Sequence, residues 1–179
     1  MAAQRASLEL EFVLAPLTAG APTKRSFYEV TFVQFLFQYL LTDRVVGSEF
    51  EVYWEVSYLP SKKAPGHPYQ VDIELVPKIG STKDMFAIEV GQFTKAKVEK
   101  DAAKLITVFP SAKPSTRVLV VYWYDSHSQT PHDAEAALSA VKSAGSGAKV
   151  TPQLALGVPL FNRKSVRGRQ FTAVIATAG

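Results

Sequence analysis

The chain has 179 residues, which suits a single folded domain with a substantial core, and no second domain is needed over residues 1–179. It contains no cysteine, so disulfides, zinc–thiolate sites and thiol catalysis are excluded, and an intracellular location is compatible with this composition. The formal net charge of +4 permits nucleic acid or another acidic partner, although ordinary solvated charge accounts for the same value.

The first part of the chain predicts a strand over residues 7–14 and a helix over residues 27–42. The strand segment alternates apolar and polar residues, and its two glutamates are not expected in a signal peptide. The helix segment is rich in aromatic and aliphatic residues but is too short to span a bilayer, so we expect no membrane association. Ser26 followed by Glu29 forms a capping box at the start of this helix.

The remainder of the chain alternates between strand and helix patterns, separated by segments with Pro, Gly and Asp at turn positions. The predicted elements are strands 50–58, 69–76 and 85–90, a helix 95–108, a strand 117–124, a helix 132–143, and strands near 151–160 and 170–177. This order predicts an α/β (α+β) fold, in which a central mixed β-sheet is flanked by helices and the core order is α-β-β-β-α-β.

Two of the predicted strands carry carboxylates among apolar residues. Because side chains alternate along a strand, Asp72 and Glu74 share one face, whereas the apolar residues at odd positions over 71–75 share the other. In a hairpin with the next strand, Glu89 joins the two acids on their face. Burial of unpaired carboxylates is costly, so these acids predict either a site for a hard divalent cation or a solvated face of the sheet.

The element order and the two strand acids resemble the PD-(D/E)XK nuclease superfamily, which has the restriction-endonuclease-like fold. The resemblance covers roughly residues 24–124, with Asp72 matching the aspartate of the second core strand and Glu89 the glutamate of the Glu-x-Lys motif. The helix and meander are also similar to the nuclease-like domains of crinkler-type effectors. The resemblance implies a Mg²⁺- or Mn²⁺-dependent nuclease that hydrolyses phosphodiester bonds of DNA or RNA.

The chain departs from the family motif at the lysine, because Gly91 stands two residues after the glutamate. Several branches of the superfamily carry this lysine on the next helix, so the resemblance implies that a helix lysine supplies the amine. The candidate catalytic residues are therefore Asp72, Glu89, Gln92, Lys97 and Lys104. The two lysines share one flank of the predicted helix, where a solvated face is the alternative interpretation.

The resemblance also implies a metal site, because many family members place an acid of the first helix beside the two strand acids. The implied ligands are Glu29, Asp72, Glu89 and the main-chain carbonyl of Val90. Helical spacing places Glu29 on the apolar face of its helix, although the capping box explains the same residue without a metal.

Two basic clusters are candidates for gripping a nucleic-acid backbone without reading its sequence. The residues are Lys62 and Lys63 in a long loop, and Arg163, Lys164, Arg167 and Arg169 between the last two predicted strands. A charged, soluble turn is the alternative for the second cluster. A catalytically inactive nuclease-like fold that binds nucleic acid or another protein also remains open, as does the oligomeric state, a homodimer included.

Overall fold

The computed structural model describes residues 25–58, 68–123, 133–159 and 170–179. The helices are α1 (Arg25–Thr42), α2 (Arg44–Glu49), α3 (Lys95–Val108) and α4 (Ala134–Ala144), with 3₁₀ turns at Pro114–Thr116 and Ser146–Ala148. The strands are β1 (Phe50–Tyr58), β2 (Tyr69–Pro77), β3 (Phe86–Gln92), β4 (Arg117–Trp123), β5 (Thr151–Pro159) and β6 (Gln170–Thr177). The strand predicted over residues 7–14 lies outside the described residues.

The helix α2 is the element that the sequence pattern did not predict. It begins directly after α1 because Asp43 caps it, and the carboxylate of Asp43 accepts hydrogen bonds from the main-chain N–H groups of Val45 and Val46 at 2.9 and 3.2 Å. Such a cap satisfies N–H groups that would otherwise lack partners at a helix start. No helix in the described ranges is both long and apolar enough to cross a membrane.

The strands form one mixed sheet in the order β1-β2-β3-β4-β6-β5. β3 and β4 are parallel, while the other neighbouring pairs are antiparallel. Parallel neighbours need a crossover connection, and α3 provides it between β3 and β4. The prediction of a mixed sheet flanked by helices is thereby confirmed.

Helices cover both faces of the sheet. On one face, Phe32 and Leu36 of α1 pack in a core cluster with Ile88 of β3. On the other face, Leu105 of α3 and Val141 of α4 belong to a second cluster that includes residues of β4 and β6. The central strands are thus buried on both sides, and a polar side chain on β3 lies inside the protein rather than at its surface.

Strand β2 departs from the predicted alternation at its beginning. Val71 packs in the cluster beneath α3, whereas Ile73 and Leu75 pack in the cluster beneath α1. The pairing of β2 with β3 begins at Ile73. No hydrogen bond of that ladder therefore holds the side chain of Val71 on the same face of the sheet as Ile73 and Leu75. The other edge of β2 pairs with β1. There, Glu55 has a left-handed φ of 50°, which interrupts the regular backbone of β1 between the partners of Ile73 and Val71.

Candidate active site

Asp72 and Glu89 lie on neighbouring strands, at the point where β2 and β3 separate. The ladder between these strands joins Ile73 to Ile88 and continues to Leu75. Just outside it, Oδ2 of Asp72 accepts a hydrogen bond from the main-chain N–H of Val90 at 2.7 Å. The side chain of Asp72 thus takes the role of a main-chain acceptor, and this bond fixes its carboxylate against β3.

Glu89 is almost completely buried, with 2% of its surface exposed. Its Oε2 pairs with Nζ of Lys104 at 2.5 Å, but its Oε1 is buried and has no hydrogen-bond partner among the described residues. A buried carboxylate oxygen without a partner is costly, and such atoms in folded proteins usually indicate an ion, a water molecule or a functional role. Glu89 therefore keeps the capacity to accept one more positively charged group.

The two predicted helix lysines lie near the strand acids: Lys104 contacts Glu89, and the charge of Lys97 acts on Asp72. Lys104 donates to Glu89 and also to the carbonyl of Gln70 at 2.7 Å, so it connects α3 to β2 as well as to β3. Lys97 pairs with Asp101 at 3.3 Å and covers Gly91. A Cβ atom at Gly91 would collide with Cε of Lys97 and would lie 3.2 Å from its Nζ. The amine of Lys97 therefore lies beside Gly91, the position that the predicted resemblance aligns with the motif lysine.

Asp101 is a site residue that the sequence analysis did not select. It is 6% exposed and lies on α3 between the two lysines, one turn from each. Its negative charge acts on both Asp72 and Glu89. The available signal was its place beside Val98, Ala102 and Leu105, the apolar stripe of the helix, which buries an acid at this position.

Glu74 does not join this group, although alternation predicted it on the same face. It is 3% exposed and is hydrogen-bonded to Tyr58, and the acids that act on Glu89 are Asp72 and Asp101. Burial raises the pKa of Glu74, and the hydrogen bond from Tyr58 partly offsets that rise. The predicted trio of strand acids is thus replaced by two strand acids and one helix acid.

The electrostatics of the site favour uptake of a cation or a proton. The pKa of Glu89 is raised to about 8: burial raises it most, the nearby charge of Asp72 adds to the rise, and Lys104 opposes it. Burial also raises the pKa of Asp72, while the N–H of Val90 and the two lysines oppose that rise. A strong perturbation caused by burial and by a second acid is typical of functional carboxylates.

The other predicted site residues fall into two groups. Gln92 ends β3 and lines a narrow crevice with Glu89, Gly91 and Lys97, and Val90 is fully buried. The side chain of Glu29 lies outside the part of the chain that the structure describes. So do both basic clusters, which consist of Lys62, Lys63, Arg163, Lys164, Arg167 and Arg169. Their predicted roles therefore stay predictions.

The described residues offer few side-chain ligands to a metal ion. Within the described residues, no group of three or more His, Asp or Glu side chains is placed to hold a metal together. Mg²⁺, however, commonly uses only one or two carboxylates and keeps several waters. A site of that kind would depend on Asp72 and on Glu89, whose Oε1 has no partner among the described residues.

We compared the chain with protein-family models, curated proteins and solved structures, and none of these comparisons gave a match.

Proposed function

We propose that this protein is a metal-dependent nuclease that hydrolyses phosphodiester bonds of DNA or RNA. One observation carries the proposal: two strand carboxylates, Asp72 and Glu89, and two helix lysines, Lys97 and Lys104, meet where β2 and β3 separate. Buried acids with an unpartnered oxygen favour a cation, and amines beside them favour a phosphate. These are the two ligands that such hydrolysis brings together.

In this proposal Asp72 and Glu89 hold Mg²⁺ or Mn²⁺, with the carbonyl of Val90 and the carboxylate of Glu29 as further ligands. The chemistry that such a cation supplies is the activation of water and the stabilisation of negative charge on the phosphate. The hydrogen bond from Val90 to Asp72 holds that carboxylate in place before any ligand binds. A fixed ligand needs less reorganisation when the cation arrives.

The two lysines have different roles in this proposal. Lys97 replaces the motif lysine, because its amine lies beside Gly91, and there its N–H groups orient the attacking water. Lys104 is a positioning residue, because its amine is held between Glu89 and the carbonyl of Gln70. It keeps α3 close to the strand acids and compensates part of their charge.

Cleavage assays on purified protein test the proposal. Asp72→Asn and Glu89→Gln should each abolish nicking of DNA and RNA in Mg²⁺ or Mn²⁺, because each removes a charged ligand while leaving the side chain's shape. Asp84→Asn is the matched control, since Asp84 is a half-exposed acid in a surface ion pair with Lys113. The proposal fails if the wild-type protein nicks neither substrate, or if the Asp72 variant cleaves as well as the wild type.

Two observations favour a second candidate, a nuclease-like fold that binds nucleic acid or another protein without cleaving. The ion pair between Lys104 and Glu89 already compensates one oxygen of the acid, and Gly91 stands in place of the motif lysine. Oligonucleotide binding without any metal-dependent nicking would favour this candidate over the nuclease.

A further inference from the structure

A surface cleft of about 590 Å³ opens between the beginning of β2 and the exposed flank of α3. We call it the α3 cleft, and its walls include Tyr69, Gln70, Lys97, Lys100, Lys104 and Thr107. Two of these residues, Lys97 and Lys104, also belong to the candidate active site. The cleft therefore lies beside the candidate active site and shares these two lysines with it.

The charged groups in the wall of the cleft are mostly positive. Lys97, Lys100 and Lys104 are spaced three and four residues apart on α3, so they form one row along the helix. Asp101 also lines the cleft, but it is buried and paired with Lys97. Glu99 lies elsewhere, since its Oε1 would be 2.7 Å from a Cβ atom at Gly147, in the turn after α4.

Lys100 is the member of this row that no acid neutralises in the described part of the chain. It is exposed, and the ion pairs found there involve Lys97, Lys104 and Lys113 instead. The active-site lysines each have a carboxylate, so Lys100 is the amine available to a phosphate outside the site. Lys100 is not among the basic residues that the sequence analysis selected.

The opposite wall supplies an aromatic ring. Tyr69 is half-buried at the first position of β2, directly before Gln70, whose carbonyl accepts from Lys104. A base can stack on such a ring whatever its identity, and a row of amines can follow the phosphates beside it. Tyrosine and lysine on facing walls are thus suited to an unpaired nucleotide.

We infer that the α3 cleft binds a single-stranded segment of nucleic acid, with a phosphate at Lys100 and a base against Tyr69. The inference rests on the proposed function, because it places the bound strand beside Lys97 and Lys104 of the candidate active site. The volume supports a single strand, since small-ligand sites of about 300–1,000 Å³ accommodate a nucleotide but not the full width of a double helix. The substrate class is then single strands or unpaired ends.

Fluorescence anisotropy of labelled oligonucleotides in EDTA tests the inference on the full chain carrying Glu89→Gln, so that binding is measured without cleavage. Tyr69→Ala should weaken single-strand binding about tenfold, while Tyr69→Phe, which keeps the ring, should bind normally. Lys100→Ala should weaken binding and reduce the slope of log K against log salt by about 0.7, as expected for one lost phosphate contact. Lys142→Ala, an exposed lysine of α4, is the matched control.

Three results would overturn the inference: normal binding by both the Tyr69→Ala and Lys100→Ala variants, tighter binding of a duplex than of the single strand, or equal binding of an acidic peptide. Each of these results can occur while the wild-type protein still nicks nucleic acid, and in that case only the inference about the α3 cleft is wrong. Conversely, strand binding that depends on Tyr69 and Lys100 in a protein that never cleaves supports the cleft and contradicts the nuclease.

Discussion

Glu89 couples the candidate site to the stability of the fold. Its pKa in the folded protein, about 8, is above the ordinary value of 4.5, so folding favours the protonated acid. The contribution of Glu89 to the free energy of unfolding should therefore be largest below about pH 4.5 and should fall between about pH 4.5 and pH 8, by at most about 1.4 kcal/mol per pH unit. Urea unfolding between pH 5 and pH 8.5 measures this decrease.

The variant Glu89→Gln should remove most of that decrease, because the amide does not ionise but can still accept from Lys104. A smaller slope should remain, since burial raises the pKa of Asp72 and Glu74 as well. Equal slopes for the wild-type and variant proteins would show that Glu89 does not carry this pH dependence.

The position of Lys97 over Gly91 can be tested by exchanging the two residues' roles. Lys97→Ala should lower the cleavage rate. Adding Gly91→Lys to that variant should restore part of the rate, because the new lysine stands at the motif position and its side chain can enter the space that Lys97 leaves. Single-turnover cleavage of an oligonucleotide is the measurement. A double variant as slow as Lys97→Ala, with an unchanged melting temperature, would argue against Lys97 as the replacement.

At the scale of residues, the sequence predicted Asp72 and Glu89 as site residues because acids in apolar strands stand out. It selected Lys97 and Lys104 only through the resemblance. Asp101 and the contact between Lys97 and Gly91 were missed, because both depend on how closely α3 packs on β3. Local periodicity gives the direction of a side chain from its own helix, but not the distance to another element.

At the scale of elements, Arg117 fixes the end of α3 relative to the sheet. It is 5% exposed at the start of β4, and its guanidinium donates to the carbonyls of Phe109, Pro110 and Ala112 at 2.7–3.0 Å. A further contact at 3.4 Å reaches the carbonyl of Ala178, after β6. One side chain therefore joins the helix that carries the lysines to two strands.

Arg117→Ala should lower the free energy of unfolding by about 3 kcal/mol, because it leaves several buried carbonyls without a donor. Chemical denaturation gives this value directly. Lys113→Ala is the control, since Lys113 forms an exposed ion pair with Asp84 and such pairs contribute about 1 kcal/mol or less. Similar losses for the two variants would contradict the role assigned to Arg117.

The elements themselves were largely predictable, because their hydrophobic periods are long and clear. The predicted strand 50–58 matches β1, and the predicted helix 95–108 matches α3. The exceptions were α2, which follows α1 with only the cap Asp43 between them, and Val71, whose side is set by the end of a ladder rather than by alternation. The start of α2 and the side of Val71 both depend on where a neighbouring helix or strand pairing ends, which the local sequence pattern does not show.

At the scale of the whole molecule, a cation bound only by the folded state must raise its melting temperature. Mn²⁺ should therefore stabilise the wild-type protein at pH 8 and should have a smaller effect at pH 6, where protonation of Glu89 competes with binding. Differential scanning fluorimetry with and without Mn²⁺ measures the shift. Glu89→Gln should abolish the shift and Asp84→Asn should keep it, whereas an equal shift in both would place the ion elsewhere.

The sheet order has a consequence for how this chain is made in a cell. β6 is inserted between β4 and β5, although it follows both in the sequence. While the polypeptide emerges from a ribosome, one edge of β4 therefore stays unpaired until synthesis has passed Thr177. An open, apolar edge invites pairing with other nascent chains. Premature termination before Gln170 should thus yield aggregates rather than a smaller folded protein.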